Sequence, residues 1–65
     1  MSQIQYIQSQ QIGNTKVTLW RTGNYQYQIE KSTKGNTEVF NFEAEYNDAM
    51  SEFLTQASQL NSNLA

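Results

Sequence analysis

The chain has 65 residues, which predicts one domain spanning 1–65 with a thin core, because a chain this short buries only about 60% of its unfolded surface. It contains no Cys and no His, so disulfides, Cys- or His-based metal sites and catalytic triads built on either residue are excluded. Charged residues make up 15% of the chain and the formal net charge is −2, which is too small to drive binding by itself.

Three Gly-Asn dipeptides divide the first forty-odd residues, at 13–14, 23–24 and 35–36. Gly and Asn tolerate positive φ angles, and such pairs are typical of hairpin turns. Their spacing of ten to twelve residues fits a meander of short antiparallel strands. We therefore predict strands near 3–12, 15–22, 25–32 and 37–42.

The first predicted strand has the weakest pattern. Ile4, Tyr6 and Ile12 share a parity, but Gln8 and Gln10 interrupt the alternation. The interruption indicates either a β-bulge or a loosely held N-terminal arm. The order of elements is ββββα if this strand pairs and βββα if it does not.

The second and third strands alternate β-branched or aromatic residues with polar ones. A two-residue turn at 23–24 would pair Trp20 with Tyr27 and place the indole on the inner face of the sheet. A three-residue loop at 22–24 would pair Leu19 with Tyr27 and keep every aliphatic residue of both strands inside. We adopt the second register, because burial usually overrules turn preference.

The fourth strand places Phe40 and Phe42 on one face and Val39 and Asn41 on the other. Either a two-residue or a four-residue connection before it would set both phenylalanines beside the apolar residues of the third strand. We therefore expect both phenylalanines in the core.

The segment 45–60 has the long helical periodicity of this sequence, and the residues after it, 61–65, are expected to fray. Its polar residues fall on one side, and acidic residues near its start favour the positive end of the helix dipole. We interpret those acids as helix-stabilising rather than catalytic. At about 100° per residue, the apolar residues share an arc about 140° wide. They are Tyr46, Ala49, Met50, Phe53, Leu54, Ala57 and Leu60.

Together these elements predict an α+β fold, in which an antiparallel four-stranded meander packs on one C-terminal helix. The predicted core consists of Ile12, Val17, Leu19, Tyr27, Ile29, Phe40, Phe42, Tyr46, Met50, Phe53, Ala57 and Leu60. One helix covers one face of so small a sheet, so the other face stays exposed. The residues predicted on the exposed face are Ile7, Thr18, Trp20, Gln26, Gln28, Val39 and Asn41.

That exposed face predicts an interaction surface, because aromatic residues with few charges are typical of the centre of an interface. The candidate interaction residues are Trp20, Thr18, Gln26, Gln28, Val39 and Asn41. We predict a non-catalytic protein-interaction module whose partner is a second copy, forming a homodimer, or a larger protein. A second copy would also supply buried area that so short a chain lacks. Helix pairing through Leu54 and Leu64 is another possible mode of association.

Single-stranded nucleic acid is the alternative partner for the same face. Aromatic side chains on a sheet can stack unpaired bases, and Lys16 and Arg21 are close to Trp20 in sequence. However, the chain has only four cations and a sequence pI of about 4.7, whereas nucleic-acid-binding domains usually carry a basic face. We therefore rank nucleic acid below protein.

The sequence predicts no enzyme, no cofactor and no metal site. Each glycine is isolated, so there is no glycine-rich phosphate loop, and an Asp-x-Asp calcium loop is also absent. No apolar run approaches the roughly 18 residues that a membrane span needs. The lack of Cys and of a secretory pattern at the N-terminus predicts a cytoplasmic protein.

Overall fold

The computed structural model describes residues 4–64, which form a four-stranded antiparallel sheet followed by one helix. The strand order is β1-β2-β3-β4, so the predicted meander and the α+β ββββα fold are confirmed. The elements are β1 Gln5–Ile12, β2 Thr15–Gly23, β3 Gln26–Thr33, β4 Asn36–Glu43 and α1 Tyr46–Leu64.

Both ends of the predicted layout change. The first strand is paired with β2, so the βββα alternative is wrong, and its predicted start at residue 3 lies outside the described residues. The helix continues past its predicted end near 60 and includes residues up to Leu64. Asn61 follows Leu60 directly and is a residue type that can end a helix, but it lies inside this one.

All three hairpins are closed by two-residue turns. Two of the turns use a glycine with positive φ, Gly13 at 60° and Gly35 at 82°. The Gly-Asn dipeptides therefore mark all three turns, as predicted, although the turn residues do not always coincide with the dipeptide. The pairs that close the turns are Ile12 with Thr15, Gly23 with Gln26, and Thr33 with Asn36.

The register between β2 and β3 differs from both predicted registers. Leu19 pairs with Ile29 rather than with Tyr27, and Trp20 pairs with Gln28. The partner of Leu19 thus moves by two residues from the adopted register. A shift of two residues leaves every side chain on the same face, so the predicted faces of both strands are retained.

The position of the turn and a bulge in β2 together produce this shift, because the turn moves the pairing by three residues and the bulge moves it back by one. The pairing slips between Arg21 and Gly23, and the turn then consists of residues 24–25. Tyr25 adopts a φ of 59°, a left-handed conformation that costs a non-glycine residue about 1–2 kcal/mol. Both predicted loops included Gly23 as a turn residue, whereas Gly23 is the last residue of β2 and pairs with Gln26. The additional strand pairing offsets the strain at Tyr25.

The core lies between α1 and the inner face of the sheet, which is the face turned toward the helix. Most of the predicted core residues are there. The buried apolar residues are Val17, Leu19, Tyr27, Ile29, Ala49, Phe53 and Ala57. The partly buried residues packed around them are Ile7, Ile12, Phe42, Ala44, Met50 and Leu60.

Three core and surface assignments are wrong. Phe40 belongs to the inner face but is 45% exposed, because α1 packs mainly over β1 and β2. Tyr46 is exposed because it is the first residue of the helix, at the margin of the packed region. Ile7 packs against the core instead of lying on the exposed face, because the register shift between Tyr6 and Gln8 turns it inward.

Candidate functional site

The outer face is the side of the sheet turned away from α1, and two rows of side chains cross its centre. The first row is Tyr6, Trp20, Gln28 and Asn41, and the second is Ser9, Thr18, Glu30 and Val39. These rows alternate with the buried residues Val17 and Leu19, which point to α1. Trp20 therefore lies on the face that the helix does not cover.

Neighbouring side chains hold the Trp20 indole in place. The ring of Tyr6 meets it edge-to-face, with a centroid distance of 5.6 Å and an interplanar angle of 76°. On the other side, Trp20 Nε1 donates a hydrogen bond to Glu30 Oε1 at 3.2 Å. The Tyr6 hydroxyl is itself 2.8 Å from Ser9 Oγ. Because the indole N–H is already bonded, the free surface of this half-buried side chain is apolar.

The structure brings the six candidate interaction residues to the outer face, but it does not leave all of them accessible. Thr18 is only 6% exposed, so it supports the face from below rather than offering contact surface. Trp20 and Gln28 are half-buried, and Gln26, Val39 and Asn41 are exposed. Val39, at 47%, is the most exposed large apolar residue among them.

Two residues of this face were missed from the sequence. Tyr6 joins the outer face because the bulge at Ile7 reverses the alternation of β1. The interruption of the pattern by Gln8 and Gln10 was the available signal. Glu30 has the right parity for the outer face, but only the register with β2 places its carboxylate beside Trp20.

The charges on the outer face weaken the nucleic-acid alternative. Arg21 follows Trp20 directly in β2, so it points to the opposite side of the sheet, where its Nε donates to the Gly23 carbonyl at 3.3 Å. Lys16 does share the outer face, but Glu30 lies next to the indole. A base stacked on Trp20 would therefore bring its phosphate near a carboxylate.

A groove runs between β4 and α1 on the inner face and is open because the helix lies over the other half of the sheet. We call it the β4–α1 groove; its volume is about 390 Å³. Its floor is apolar and its helix wall is polar and acidic. The floor is formed by Ile29, Phe40 and Phe42, and the wall by Asp48, Glu52 and Gln56.

A second depression, of about 570 Å³, lies at the N-terminal end of α1. Aromatic rings of Tyr25, Tyr27 and Tyr46 line it together with Arg21. The bond from Arg21 Nε to the Gly23 carbonyl already uses part of that guanidinium. The arrangement supplies no nucleophile paired with a base, so it does not indicate a reaction.

Within residues 4–64, no group of three or more His, Cys, Asp or Glu residues is arranged to hold a metal ion. In the same range, no helix combines the length and the apolar character needed to cross a membrane. Comparison of the chain with protein-family models, curated proteins and solved structures finds no match. The function is therefore inferred from the residues of the outer face and of the groove.

Proposed function

We propose that this protein is a small non-catalytic interaction module that self-associates through the outer face, with Trp20 at the centre of the interface. The observation that carries the proposal is an aromatic side chain, fixed between Tyr6 and Glu30, on a sheet face that the helix leaves uncovered. A side chain that is already held in one rotamer loses little conformational entropy when a partner covers it.

The surroundings of Trp20 resemble an interface in composition. Gln28 and Asn41 lie in the same row and offer amide donors and acceptors, and Val39 adds exposed apolar surface in the next row. Interfaces combine an aromatic or apolar centre with polar groups that form hydrogen bonds at the rim. The outer face supplies both.

The outer face carries charges of both signs, namely Lys16, Glu30 and, opposite Gln26 at the end of the sheet, Glu43. Lys16 and Glu30 lie in adjacent rows of the outer face on β2 and β3. In a twofold dimer, Lys16 of one copy can face Glu30 of the other, so the two surfaces need not repel each other. Sheet-on-sheet packing would cover one uncovered face with another and add buried area, which so small a domain lacks.

The test is the oligomeric state of matched lysine variants in sedimentation experiments. We expect the wild-type protein to form a dimer at micromolar concentration and Val39→Lys to sediment as a 7.5 kDa monomer. Leu54→Lys is the matched control, because Leu54 on the helix is 49% exposed and Val39 is 47% exposed, on opposite sides of the molecule. The control should remain a dimer.

Two outcomes would overturn this proposal. A wild-type mass of 7.5 kDa at every concentration up to about 1 mM would show that the outer face does not self-associate. A dimer that Leu54→Lys disrupts and Val39→Lys leaves intact would assign the interface to the helix. Trp20→Ala should weaken the dimer as well, but it also removes the contact with Tyr6, so its thermal unfolding must be measured beside it.

A further inference from the structure

β4 is an edge strand whose protecting side chains are acidic, Glu38 and Glu43, so they do not oppose a basic strand. It is the last strand of the sheet and pairs with β3 along its whole length without a bulge. Edge strands are usually blunted by lysine, proline, a bulge or a covering element. The sequence of β4, residues 36–43, contains neither Lys nor Pro, whereas the opposite edge, β1, has a bulge at Ile7. The backbone groups along the free side of β4 can therefore pair with a further strand.

A strand added beside β4 would lie along the β4–α1 groove. Every second side chain of such a strand points to the inner face, where Phe40 and Phe42 form the apolar floor. An extended segment of about five residues, roughly 17 Å long, would span the distance from Glu38 to Phe42. Backbone pairing would hold the segment and the groove would select its side chains, as in other cases of strand addition.

The helix wall of the groove selects positive charge. Asp48 and Glu52 are one helical turn apart, are exposed and lie on the groove side of α1. Gln56 Nε2 donates to Glu52 Oε1 at 3.0 Å and so helps to hold that carboxylate beside the groove. Lys31 already lies over the Phe40 ring, with Nζ 5.1 Å from its centroid, so the Phe42 ring is the one on which an Arg side chain can lay its stem and guanidinium while it reaches a carboxylate.

A second copy of this chain fits the groove poorly. β4 carries Glu38 and Glu43 and no cation. If two β4 strands paired antiparallel about a twofold axis at Phe40, Glu38 of the copy would lie opposite Phe42, on the groove side. A further carboxylate would then enter the region of Asp48 and Glu52, where like charges repel.

We infer that the β4–α1 groove binds an extended segment of a partner protein, which joins the sheet as a fifth strand and directs alternating Arg and aliphatic side chains into the groove. This surface is separate from the outer face. The inference therefore goes beyond self-association and does not depend on it.

The probe for this inference is the peptide acetyl-Thr-Arg-Thr-Val-Thr-Arg-Thr-amide, whose Arg and Val side chains share one face of a strand. We expect it to shift the backbone amide resonances of β4 and of the first half of α1 in NMR spectra, with saturation approached near about 1 mM. A peptide with Glu in place of both Arg residues should cause no shift. A peptide of the same composition with its Arg and Val residues contiguous should bind more weakly, because they then point to opposite faces.

Two double variants test the charge of the wall. The change Asp48→Asn with Glu52→Gln raises the net charge by two and should weaken binding of the Arg peptide about tenfold. Ser58→Lys with Ser62→Lys raises the net charge equally at exposed helix positions outside the groove and should leave binding within about twofold of the wild type. The far-ultraviolet circular dichroism of both variants shows whether they fold like the wild type.

The inference is overturned if the Arg peptide causes no shifts up to about 1 mM, or if its shifts lie on the Trp20 face. It is also overturned if the Glu peptide or the contiguous peptide binds equally well, or if neutralising the wall has no effect. Shifts of β4 amides that grow with protein concentration alone would identify a second copy as the occupant. A wild-type protein that is monomeric but binds the Arg peptide would refute self-association and retain the groove site.

Discussion

The two halves of the inner face differ although their side chains are chemically alike. Leu19 in β2 and Phe40 in β4 lie in the same cross-strand row, on either side of Ile29. Leu19 is fully buried, whereas Phe40 is nearly half exposed. The difference is that α1 packs mainly over β1 and β2 and leaves Phe40 of β4 largely uncovered.

Simple dimensions explain this difference. A helix with its side chains is about 10–12 Å across, whereas four strands spaced by about 4.8 Å extend for roughly 14 Å between the axes of the outer two. A single helix centred near one edge therefore cannot cover the other edge. An apolar residue on the inner face is therefore buried in the core only where the helix lies above it.

The largest expected effect is the difference between removing an aromatic ring from the covered region and removing one from the open region. Phe53→Ala should destabilise the protein by about 3–5 kcal/mol, because Phe53 is a residue of α1 whose side chain is completely buried between the helix and the sheet. Phe40→Ala should cost only about 1 kcal/mol, because that ring is nearly half exposed already. Urea unfolding followed by Trp20 fluorescence measures both.

A chain of this length has a total stability of about 3–10 kcal/mol, so the loss expected for Phe53→Ala removes between about a third and all of it. If the two variants lost equal stability, the distinction between a covered and an open half would be wrong.

A smaller effect is expected at the turn that attaches β4 to the sheet. Gly35 has a φ of +82°, and a Cβ added there would meet nothing within 4 Å, so Gly35→Ala tests backbone strain alone. We expect a loss of about 1 kcal/mol, with faster amide hydrogen exchange in β4 than in β1 or β2, because β4 has no helix above it.

Gly23→Ala is the comparison for Gly35→Ala. Its φ is outside the left-handed region, and its added Cβ would approach Gln26 Oε1 to 2.7 Å, the mobile end of a side chain that can move aside. The smaller loss should therefore occur at Gly23. If Gly35→Ala changed the rate of amide hydrogen exchange equally in all four strands, β4 would be no less stable than the other strands.

The smallest expected effect concerns the cation that lies over Phe40. Lys31 Nζ is 5.1 Å from the centroid of that ring. Lys31→Met keeps an unbranched apolar stem and removes the charge, so it should cost about 0.5 kcal/mol at low salt. Lys34→Met in the β3–β4 turn makes the same change of charge and should have no comparable effect. If Lys31→Met lost no more stability than Lys34→Met, the contact between the Lys31 cation and the Phe40 ring would not stabilise the protein.

Local patterns in the sequence determined the elements and the faces of this protein. Each of these patterns can be recognised in a short window of sequence. They are the alternation in β2, β3 and β4, the Gly-Asn turns and the apolar arc of α1. The adopted register of β2 and β3 was wrong by two residues, which leaves each side chain on its face, so Trp20, Val39 and Asn41 lie on the outer face as predicted.

Tertiary structure decided the register, the bulges and the lateral position of α1. The bulges at Ile7 and before Gly23 are determined by summed contacts between strands, which no short window of sequence contains. The helix lies where its buried residues Ala49, Phe53 and Ala57 pack with Val17 and Leu19, and two of those helix residues are small enough to permit a close approach. That placement, rather than any property of β4 itself, left Phe40 exposed and opened the β4–α1 groove.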